Sequence, residues 1–425
     1  MRIGIDVTAA ISQGGGIGRY TRELIQALVA VDQSNGYHFF SARPAQVAQP
    51  FLPSRTQSGL RTSLPFGKLR AGSSTDAASA TQDAGSPTLF VPESLPVAPN
   101  TRYHPAPLDE RWLYRLWYRL HLPLPVQWFT GPLDLFHSPD FVLPPVSGRT
   151  PTLLTVHDLS FVHYPQTFPP ALVAYLNRVV PRSIKRASHI LADSLATKQD
   201  LVEMWQVPAG KITVLYSGVS QAFRPVTDDD RLKAMRLKYN LGQSPYLLSV
   251  GTIQPRKNYQ MLIRAFRPVA ARWPHNLVIV GGKGWLYDDI LAEIGRQGLD
   301  GRVHFIGFVE DADLPALYTG ATLFVFPSLY EGFGLPLLEA MACGLPVITS
   351  NASSLLEVAG ELPDGRETAV ALSPQQPAVW TEAINELIAD PERRAQLAAA
   401  GLEQARRFTW GQAAQQLLGI YSTWR

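Results

Sequence analysis

The stretch from 322 to 344, TLFVFPSLYEGFGLPLLEAMACG, decides the fold of this 425-residue chain. It opens with an apolar run that ends at Pro327, as a buried strand does, and Pro336 suits the first turn of a helix. Gly332 and Gly334 lie between the two, where a backbone without side chains can approach a ligand closely. The segment therefore predicts a strand, a glycine turn and a helix whose first amides face an anion such as phosphate.

Two carboxylates accompany this anion site: Glu331 lies before the turn, and Glu339 lies eight positions later in the helix. Carboxylates repel phosphate, but they accept hydrogen bonds from hydroxyl groups. A ligand that carries both phosphates and hydroxyls, such as a sugar nucleotide, therefore satisfies both features. The simpler alternative is an ordinary strand, turn and helix with two surface glutamates.

A pair of cations follows another apolar run, YLLSV at 246–250. Gly251 and Thr252 end that run, and Arg256 and Lys257 come just before a helical stretch. From a loop, both side chains can converge on one diphosphate, and each charge-assisted hydrogen bond is worth about 1.5 to 3 kcal/mol. Such a pair is often only a solvated helix start, but its position after a strand favours stabilisation of a leaving diphosphate without a metal.

Two further strand ends give weaker signals. Gly282 follows the run LVIV, and Phe308 and Val309 follow the run VHFIG. Asp311 and Asp313 match the D-x-D pattern of a metal site, but a Leu-Pro pair comes next, as it does after a helix N-cap. We therefore expect a helix cap here and no metal ion.

In the first half, Gly16 and Gly18 lie in a glycine-rich loop after the run RIGIDV. The loop matches a dinucleotide fingerprint only in part, because Arg19 and Thr21 occupy the candidate positions of the third glycine. It fits better as a loop that faces a ligand across a cleft. His157 ends the run TLLTV, and a histidine at such an edge is as suited to touching substrate as to a structural role.

Short apolar runs alternate with amphipathic stretches along both halves of the chain, which is the pattern of parallel sheets covered by helices. We expect two doubly wound α/β domains, at 1–220 and 221–405, and a last helix at 406–425 that packs back toward the first domain. The segment at about 44–100 is rich in Pro, Ser, Ala and Thr, and we expect a disordered insertion or linker there. Ligands of such sheets bind at the carboxyl ends of the strands.

Composition excludes several classes of protein. An apolar content of 46% fills ordinary cores, and 38 basic against 35 acidic residues leave a net charge of +3, too weak to indicate nucleic-acid binding. The single cysteine, Cys343, excludes an intramolecular disulfide. The chain shows no secretory signal and no apolar stretch of about 18 residues, so we expect a cytoplasmic protein that meets a membrane only at its inner surface.

One basic helix is the candidate for that membrane contact. Arg111, Arg115 and Arg119 are four apart, hence on one helix face, and they are interleaved with tryptophan and leucine residues. Such a helix can lie on an anionic bilayer near a lipid-linked acceptor. The more common alternative is that its aromatic side chains pack into the first domain.

Together these segments resemble the retaining glycosyltransferases of family four, whose two Rossmann-like domains form the GT-B fold around a cleft. The resemblance covers nearly the whole chain apart from the insertion, and it rests on EGFGLPLLE, GTIQPRKN and the HD pair at 157–158. It implies transfer of a hexose from a nucleotide sugar with retention of configuration and without a metal or cofactor. One departure is Thr252, where many members carry an arginine.

The resemblance also implies a role for each matching residue. Arg256 and Lys257 bind the donor diphosphate, Glu331 a hydroxyl of the transferred sugar, and Glu339 the ribose hydroxyls. His157 contacts the transferred sugar and joins Glu331 and the two cations in the catalytic set. Other donor-binding residues come from the same turns and strand ends: Gly16, Gly18, Gly251, Thr252, Gly282, Phe308, Val309, Gly332, Phe333, Gly334 and Leu335.

The PRKN variant of the cation loop is similar to that of bacterial mannosyltransferases of surface polysaccharide assembly. This similarity implies GDP-mannose as the donor and a glycan or lipid-linked saccharide as the acceptor. Two alternatives stay open. A sugar phosphorylase of the same architecture would release sugar with phosphate and need no nucleotide, and a non-catalytic sugar-nucleotide-binding protein would bind the donor without transfer or hydrolysis.

Overall fold

Two parallel sheets organise the protein in its computed structural model, which describes residues 1–43, 95–120 and 122–424. The strands of the first sheet are β1 (Arg2–Asp6), β2 (Gly36–Arg43), β3 (Thr101–Asp109), β4 (Leu135–Ser138), β5 (Thr152–Val156), β6 (His189–Ala192) and β7 (Ile212–Val214). They lie in the order β3-β2-β1-β4-β5-β6-β7, and every neighbouring pair is parallel.

Helices connect these strands and cover both faces of the sheet. They are α1 (Thr8–Ser12), α2 (Gly16–Val31), α3 (Glu110–Tyr114), α4 (Gln127–Thr130), α5 (Ser160–His163), α6 (Pro170–Arg186) and α7 (Leu195–Trp205). A π-helical turn, Arg115–Arg119, continues α3, and 3₁₀ turns lie at Pro165–Thr167 and Ala209–Lys211. We call this sheet and its helices the first domain.

The second sheet has the strands β8 (Tyr246–Val250), β9 (Asn276–Val280), β10 (Val303–Gly307), β11 (Leu323–Phe326), β12 (Val347–Ser350) and β13 (Val370–Leu372), in the order β10-β9-β8-β11-β12-β13. With it come the helices α8 (Asp229–Lys238), α9 (Tyr259–Arg272), α10 (Asp288–Gln297), α11 (Leu314–Thr319), α12 (Leu335–Ala342), α13 (Leu355–Ala359), α14 (Pro377–Ala389) and α15 (Pro391–Ala405). A 3₁₀ turn, Pro255–Lys257, precedes α9. These elements form the second domain.

Both sheets reverse their strand order beside their own first strand, so the expectation of two doubly wound α/β domains is confirmed. The reversal lies between β1 and β4 in one sheet and between β8 and β11 in the other. Such a point opens a crevice at the carboxyl ends of the strands, where ligands of this architecture bind. The apolar runs quoted from the sequence all form strands, and those in the middle of the two sheets are buried on both faces, whereas β10 at the edge is half-buried.

The last helix, α16 (Trp410–Ser422), contacts α2 of the first domain. Its Leu417 and Tyr421 belong to the same buried cluster as Ile3 and Tyr20. The sequence boundary at about 220 stays a prediction; it falls in the connection between β7 and α8. In the ranges that the structure describes, no helix combines the length and the apolar character that crossing a bilayer requires.

The insertion predicted at about 44–100 lies mostly outside the described residues, which resume at Leu95. Leu95 is buried in the first-domain core. The Asn100 side chain donates to the carbonyl oxygens of Asp32 and Asn35, both at 3.0 Å. Residues 95–100 are therefore part of the folded domain, and the predicted end of the insertion at 100 is too late.

Candidate functional site

The two domains meet where the turn before α12 touches the end of β5. At Gly332, a Cβ atom would lie 2.0 Å from the carbonyl oxygen of His157 and 3.1 Å from the Cβ of Asp158. Only glycine permits this approach of two backbones, so the contact between the domains, rather than the approach of a ligand, requires a glycine here. As a result, Glu331, the residue before Gly332, lies beside the His157 segment of the first domain.

Three of the predicted catalytic residues converge at the switch point of the second sheet. Arg256 and Lys257 follow β8, and Glu331 follows the neighbouring strand β11. Arg256 Nη1 donates to Glu331 Oε2 at 2.9 Å, and Lys257 Nζ donates to Glu331 Oε1. Burial would raise the pKa of Glu331, but the two cations outweigh it and lower that pKa to about 2. The carboxylate is therefore ionised, and both of its oxygens are held in place.

Several buried polar atoms at this site have no hydrogen-bond partner among the described residues. They include Arg256 Nε and Oε1 of Gln254, whose side chain precedes the cation turn and is 4% exposed. In the first domain, Oδ1 of the buried Asp193 also has no hydrogen-bond partner among the described residues. A buried polar atom without a partner costs about 1 to 3 kcal/mol. Their gathering at one cleft indicates a site for a polar ligand.

His157 is held from both sides of its ring. Nδ1 lies 2.7 Å from Asp193 Oδ2, and Nε2 lies 3.2 Å from the carbonyl oxygen of Pro139. Both partners only accept hydrogen bonds, so both ring nitrogens carry protons. Burial alone would lower the pKa of His157, but Asp193 reverses this effect and raises the pKa to about 9. At neutral pH His157 is therefore a cation with no free lone pair to act as a base.

Glu339 is buried in the second turn of α12, where two donors hold its carboxylate. The Tyr318 hydroxyl donates to Oε2 at 2.8 Å, and Nη1 of Arg19, from the first domain, donates to Oε1. Burial raises the pKa of Glu339, while Arg19 and Tyr318 oppose that rise. The sequence alone did not point to Arg19, Tyr318 or Asp193. The one hint in the sequence was the place of Arg19, which occupies a candidate position of the third glycine in the dinucleotide fingerprint.

Within the D-x-D segment, Asp313 occupies the N-cap position of α11 as expected from the sequence, but its side chain does not cap the helix. Asp313 precedes α11 but makes no capping bond; its carboxylate accepts from Lys238 at 2.7 Å and from Tyr239 at 2.8 Å. Asp311 pairs with Arg19. Ion pairing has taken the place of capping, because cations from α8 and from the opposite domain reach both carboxylates.

Some of the remaining predicted donor-site residues lie at the ends of strands and helices, whereas others are buried. Gly251, Thr252 and Gly282 lie at the carboxyl ends of β8 and β9, on the edge that carries Arg256. Gly16 begins α2, and Gly18 lies two residues later. By contrast, the side chains of Val309 and Phe333 are buried in the second-domain core, so only their backbone atoms can meet a ligand.

Phe308 and Leu335 lie between the domains. The Phe308 side chain is 69% exposed, and its Cε2 atom would lie 3.8 Å from a Cβ placed on Gly14 of the first-domain loop. Leu335, the first residue of α12, packs against the cores of both domains. Gly334 directly precedes it as the N-cap of that helix. The predicted glycine turn therefore lies at the contact between the two domains.

Comparisons with known proteins agree with this architecture. The family model of glycosyl transferases group 1 matches residues 233–404, and that of glycosyltransferase family 4 matches residues 77–223. The chain is 34% identical over 290 residues to the O-antigen chain mannosyltransferase B of Escherichia coli, covering 68% of this chain and 74% of that protein. This chain covers only 51% and 29% of the length of two further curated relatives.

Solved structures show the same fold at low sequence identity. Sucrose-phosphate synthase from Thermosynechococcus elongatus aligns with a TM-score of 0.69 at 21% identity, over 100% of this chain and 98% of that chain. HepE from Anabaena, in complex with UDP and glucose, aligns with a TM-score of 0.68 at 18% identity, over 99% of both chains. With two doubly wound domains, a charged cleft between them and these matches, the chain belongs to the GT-B glycosyltransferases of family 4.

Proposed function

We propose that this glycosyltransferase transfers mannose from GDP-mannose to a glycan or lipid-linked saccharide, with retention of configuration and without a metal. The observation that carries the proposal is a pair of cations held on Glu331 just before α12, with the buried Glu339 in the second turn of that helix. The cations suit a diphosphate, and the carboxylates suit the hydroxyls of a ribose and a sugar. The relationship to an O-antigen mannosyltransferase supports mannose as the sugar.

The arrangement supports catalysis by charge stabilisation on the leaving group. Arg256 and Lys257 would release Glu331 in part and bind the diphosphate, whose negative charge grows as the sugar bond breaks. Glu331 would then accept a hydrogen bond from the transferred sugar. Held between two cations, it is a poor nucleophile, and His157 has no free lone pair.

These restrictions favour attack of the acceptor hydroxyl on the same face of the sugar from which the diphosphate departs. An oxygen of the departing phosphate would take the proton of that hydroxyl, so that no basic side chain is needed. The protein would contribute orientation and a fixed set of charges. Ion pairs at Asp311 and Asp313 also support metal independence, because cations of the chain itself already neutralise both carboxylates.

Purified full-length protein tests this proposal in three steps. Hydrolysis of GDP-mannose should exceed that of UDP-glucose at equal concentration, and it should persist in EDTA. With a mannoside acceptor, the one-bond C1–H1 coupling in the product should report the same anomeric configuration as in the donor. An inverted product, complete loss of activity in EDTA, or phosphate-dependent cleavage of a disaccharide without nucleotide would contradict the proposal.

A further inference from the structure

We propose that Arg19 is a positioning residue of the donor site, which completes the ribose-binding carboxylate from the opposite domain. This inference rests on the proposed role of Glu339 in holding the ribose. It adds that ribose recognition is shared by both domains, so that the ribose is fully bound only when the cleft is closed.

The contacts of Arg19 cross the cleft at a single point. Its Nη1 donates to Glu339 Oε1 and its Nη2 to Asp311 Oδ1, while the guanidinium lies 5.7 Å from the centre of the Phe223 ring. Arg19 belongs to α2 of the first domain, and the two carboxylates belong to the second domain. The Arg19 side chain is 18% exposed and that of Glu339 is 3% exposed, so water screens the pair little.

The local fold fixes where Arg19 points. Its amide donates to the Gly15 carbonyl oxygen at 3.0 Å, which places it in the first turn of α2. At Gly18, a Cβ would lie 2.0 Å from the carbonyl oxygen of Gln13 and 2.8 Å from that of Ala9. The start of α2 is therefore pressed against α1, and this contact aims Arg19 at the second domain.

The chemistry of the carboxylate explains what Arg19 contributes. An ionised carboxylate has about four positions that can accept hydrogen bonds. Arg19 occupies one on Oε1, and the Tyr318 hydroxyl occupies one on Oε2. The positions that remain fit two adjacent hydroxyls, as a ribose carries. A protonated Glu339 would lose acceptor positions, and Arg19 opposes the rise in pKa that burial causes.

The guanidinium is suited to this task because its planar fork reaches two carboxylates at once. Asp311, which is 59% exposed, holds the second branch of the fork and so fixes the plane of the first. A lysine would keep the charge but lose the fork. The two substitutions Arg19→Gln and Arg19→Lys therefore separate the effect of charge from that of geometry.

The experiment measures how strongly the protein depends on the ribose hydroxyls. Titration calorimetry on the full chain compares GDP, or UDP if it binds more tightly, with its 2′,3′-dideoxy form. In the wild type, the dideoxy form should bind at least about tenfold more weakly, as loss of a charge-assisted hydrogen bond implies. Arg19→Gln should reduce that ratio to less than about threefold, and Arg19→Lys should restore part of it.

Two further variants make the result specific. Arg2→Gln is the control for loss of an arginine from the first domain: its side chain is 52% exposed and pairs with the exposed Asp134 at 3.5 Å. It should keep the wild-type ratio. In Glu339→Gln, the nucleotide and its dideoxy form should bind about equally, because the carboxylate itself is removed.

The outcomes separate the two proposals. If Glu339→Gln keeps the full dependence on the ribose hydroxyls, the proposed role of Glu339 is wrong and the inference falls with it. If Glu339→Gln loses the dependence while Arg19→Gln and Arg19→Lys both keep it, only the inference is overturned. Thermal unfolding of each variant tests whether it folds. If Arg19→Gln does not fold, the ratio measured for Arg19→Lys decides whether Arg19 positions the carboxylate.

Discussion

Buried charges that hold one another in place make up the site at the scale of single residues. Glu331 lies between Arg256 and Lys257, and His157 bonds to Asp193. Removing one partner of such a pair leaves the other as an uncompensated buried charge, which costs about 3 to 5 kcal/mol. A variant at this site can therefore lose stability as well as activity, so both must be measured together.

Lys257→Ala should lower turnover at saturating donor by about 100- to 1,000-fold, since it removes a cation aimed at charge that develops on the leaving diphosphate. Initial rates with GDP-mannose and acceptor measure this effect. Lys233→Ala is the matched control, because Lys233 is 71% exposed on α8 and pairs only with the exposed Asp230 among the described residues. Near-normal turnover in Lys257→Ala would contradict the role proposed for this cation.

The ionisation of His157 predicts a pH dependence of stability. Its pKa rises from 6.5 to about 9 in the folded protein, so its ion pair stabilises the fold fully below pH 6.5 and is lost as pH rises through 9. We expect the melting temperature of the wild type to fall between pH 6.5 and 9.5 by about 2 °C more than that of His157→Gln. Equal falls in both proteins would show that His157 is neutral in the fold.

Whole elements show how far the sequence could be interpreted. Strands such as β5 and β11 are mostly apolar and buried along their whole length, and a sheet buried on both faces needs such runs. No comparable signal marks β2 and β3 in the sequence. In β2, His38 and Ser41 lie among the apolar residues, and their side chains bond to His104 and Tyr103 of β3 at 3.0 and 2.7 Å. A polar contact between strands hides both from a search for apolar runs.

Proline also concealed β3, because a proline inside a strand argues against a place in the middle of a sheet. Pro105 and Pro107 lie within β3, which is the edge strand of its sheet. An edge strand has one side without neighbours, where a missing N–H does no harm. The site was easier to predict than this edge, since Glu331, Arg256 and Lys257 all lie in the connection that comes after an apolar strand.

The basic helix packs into the first domain, which is one of the two alternatives from the sequence, and contact with a membrane stays a prediction. Leu113 and Trp117 are buried in the first-domain core, as in a packing helix. On the outer side, Trp112 is 53% exposed and Leu120 is 62% exposed, close in sequence to three exposed arginines. Exposed apolar and cationic side chains together favour contact with an anionic lipid surface.

We predict that this surface binds anionic membranes. Changing Arg111, Arg115 and Arg119 to glutamine should weaken sedimentation with phosphatidylglycerol vesicles by about fivefold for each arginine, because each contributes about 1 kcal/mol near a charged surface. Binding should also weaken as salt is added.

A second triple variant changes three exposed arginines elsewhere, Arg267, Arg272 and Arg406, to glutamine. It removes the same amount of positive charge and is the control for net charge. This triple variant should keep most of the binding. Sedimentation that does not depend on anionic lipid, or that falls equally in both triple variants, would remove the proposed membrane surface.

The two domains of the whole molecule are joined by contacts that no local pattern could reveal. Arg19 and Glu339 are 320 positions apart, and they meet only because the two sheets present their carboxyl edges to one another. Trp285 of the second domain donates its indole N–H to the Thr167 carbonyl oxygen at 2.8 Å and packs against Phe168. Such pairs can be predicted only once the placement of the two domains is known, whereas the position of the cations after β8 can be predicted from the end of one strand.

Glu357 forms another contact of this kind. Its carboxylate lies on α13 and accepts the amides of Leu195 at 2.8 Å and Ala196 at 2.7 Å, the first two residues of α7. The Tyr216 hydroxyl donates to the same carboxylate at 3.0 Å. A negative charge at a helix N-terminus is favourable, so Glu357 ties the second domain to the positive end of a first-domain helix.

Removing both ties should open the cleft. Glu357→Ala and Trp285→Ala together should increase the radius of gyration measured by small-angle X-ray scattering without donor, since loss of the charged hydrogen bonds of Glu357 alone costs about 3 kcal/mol. Saturating donor should reverse part of the increase, and the KM for donor should rise, because binding must then drive the closure. Glu386→Ala, at an exposed position on α14, is the control and should leave both quantities unchanged. A double variant with the radius of gyration and KM of the wild type would mean that these contacts do not hold the domains together.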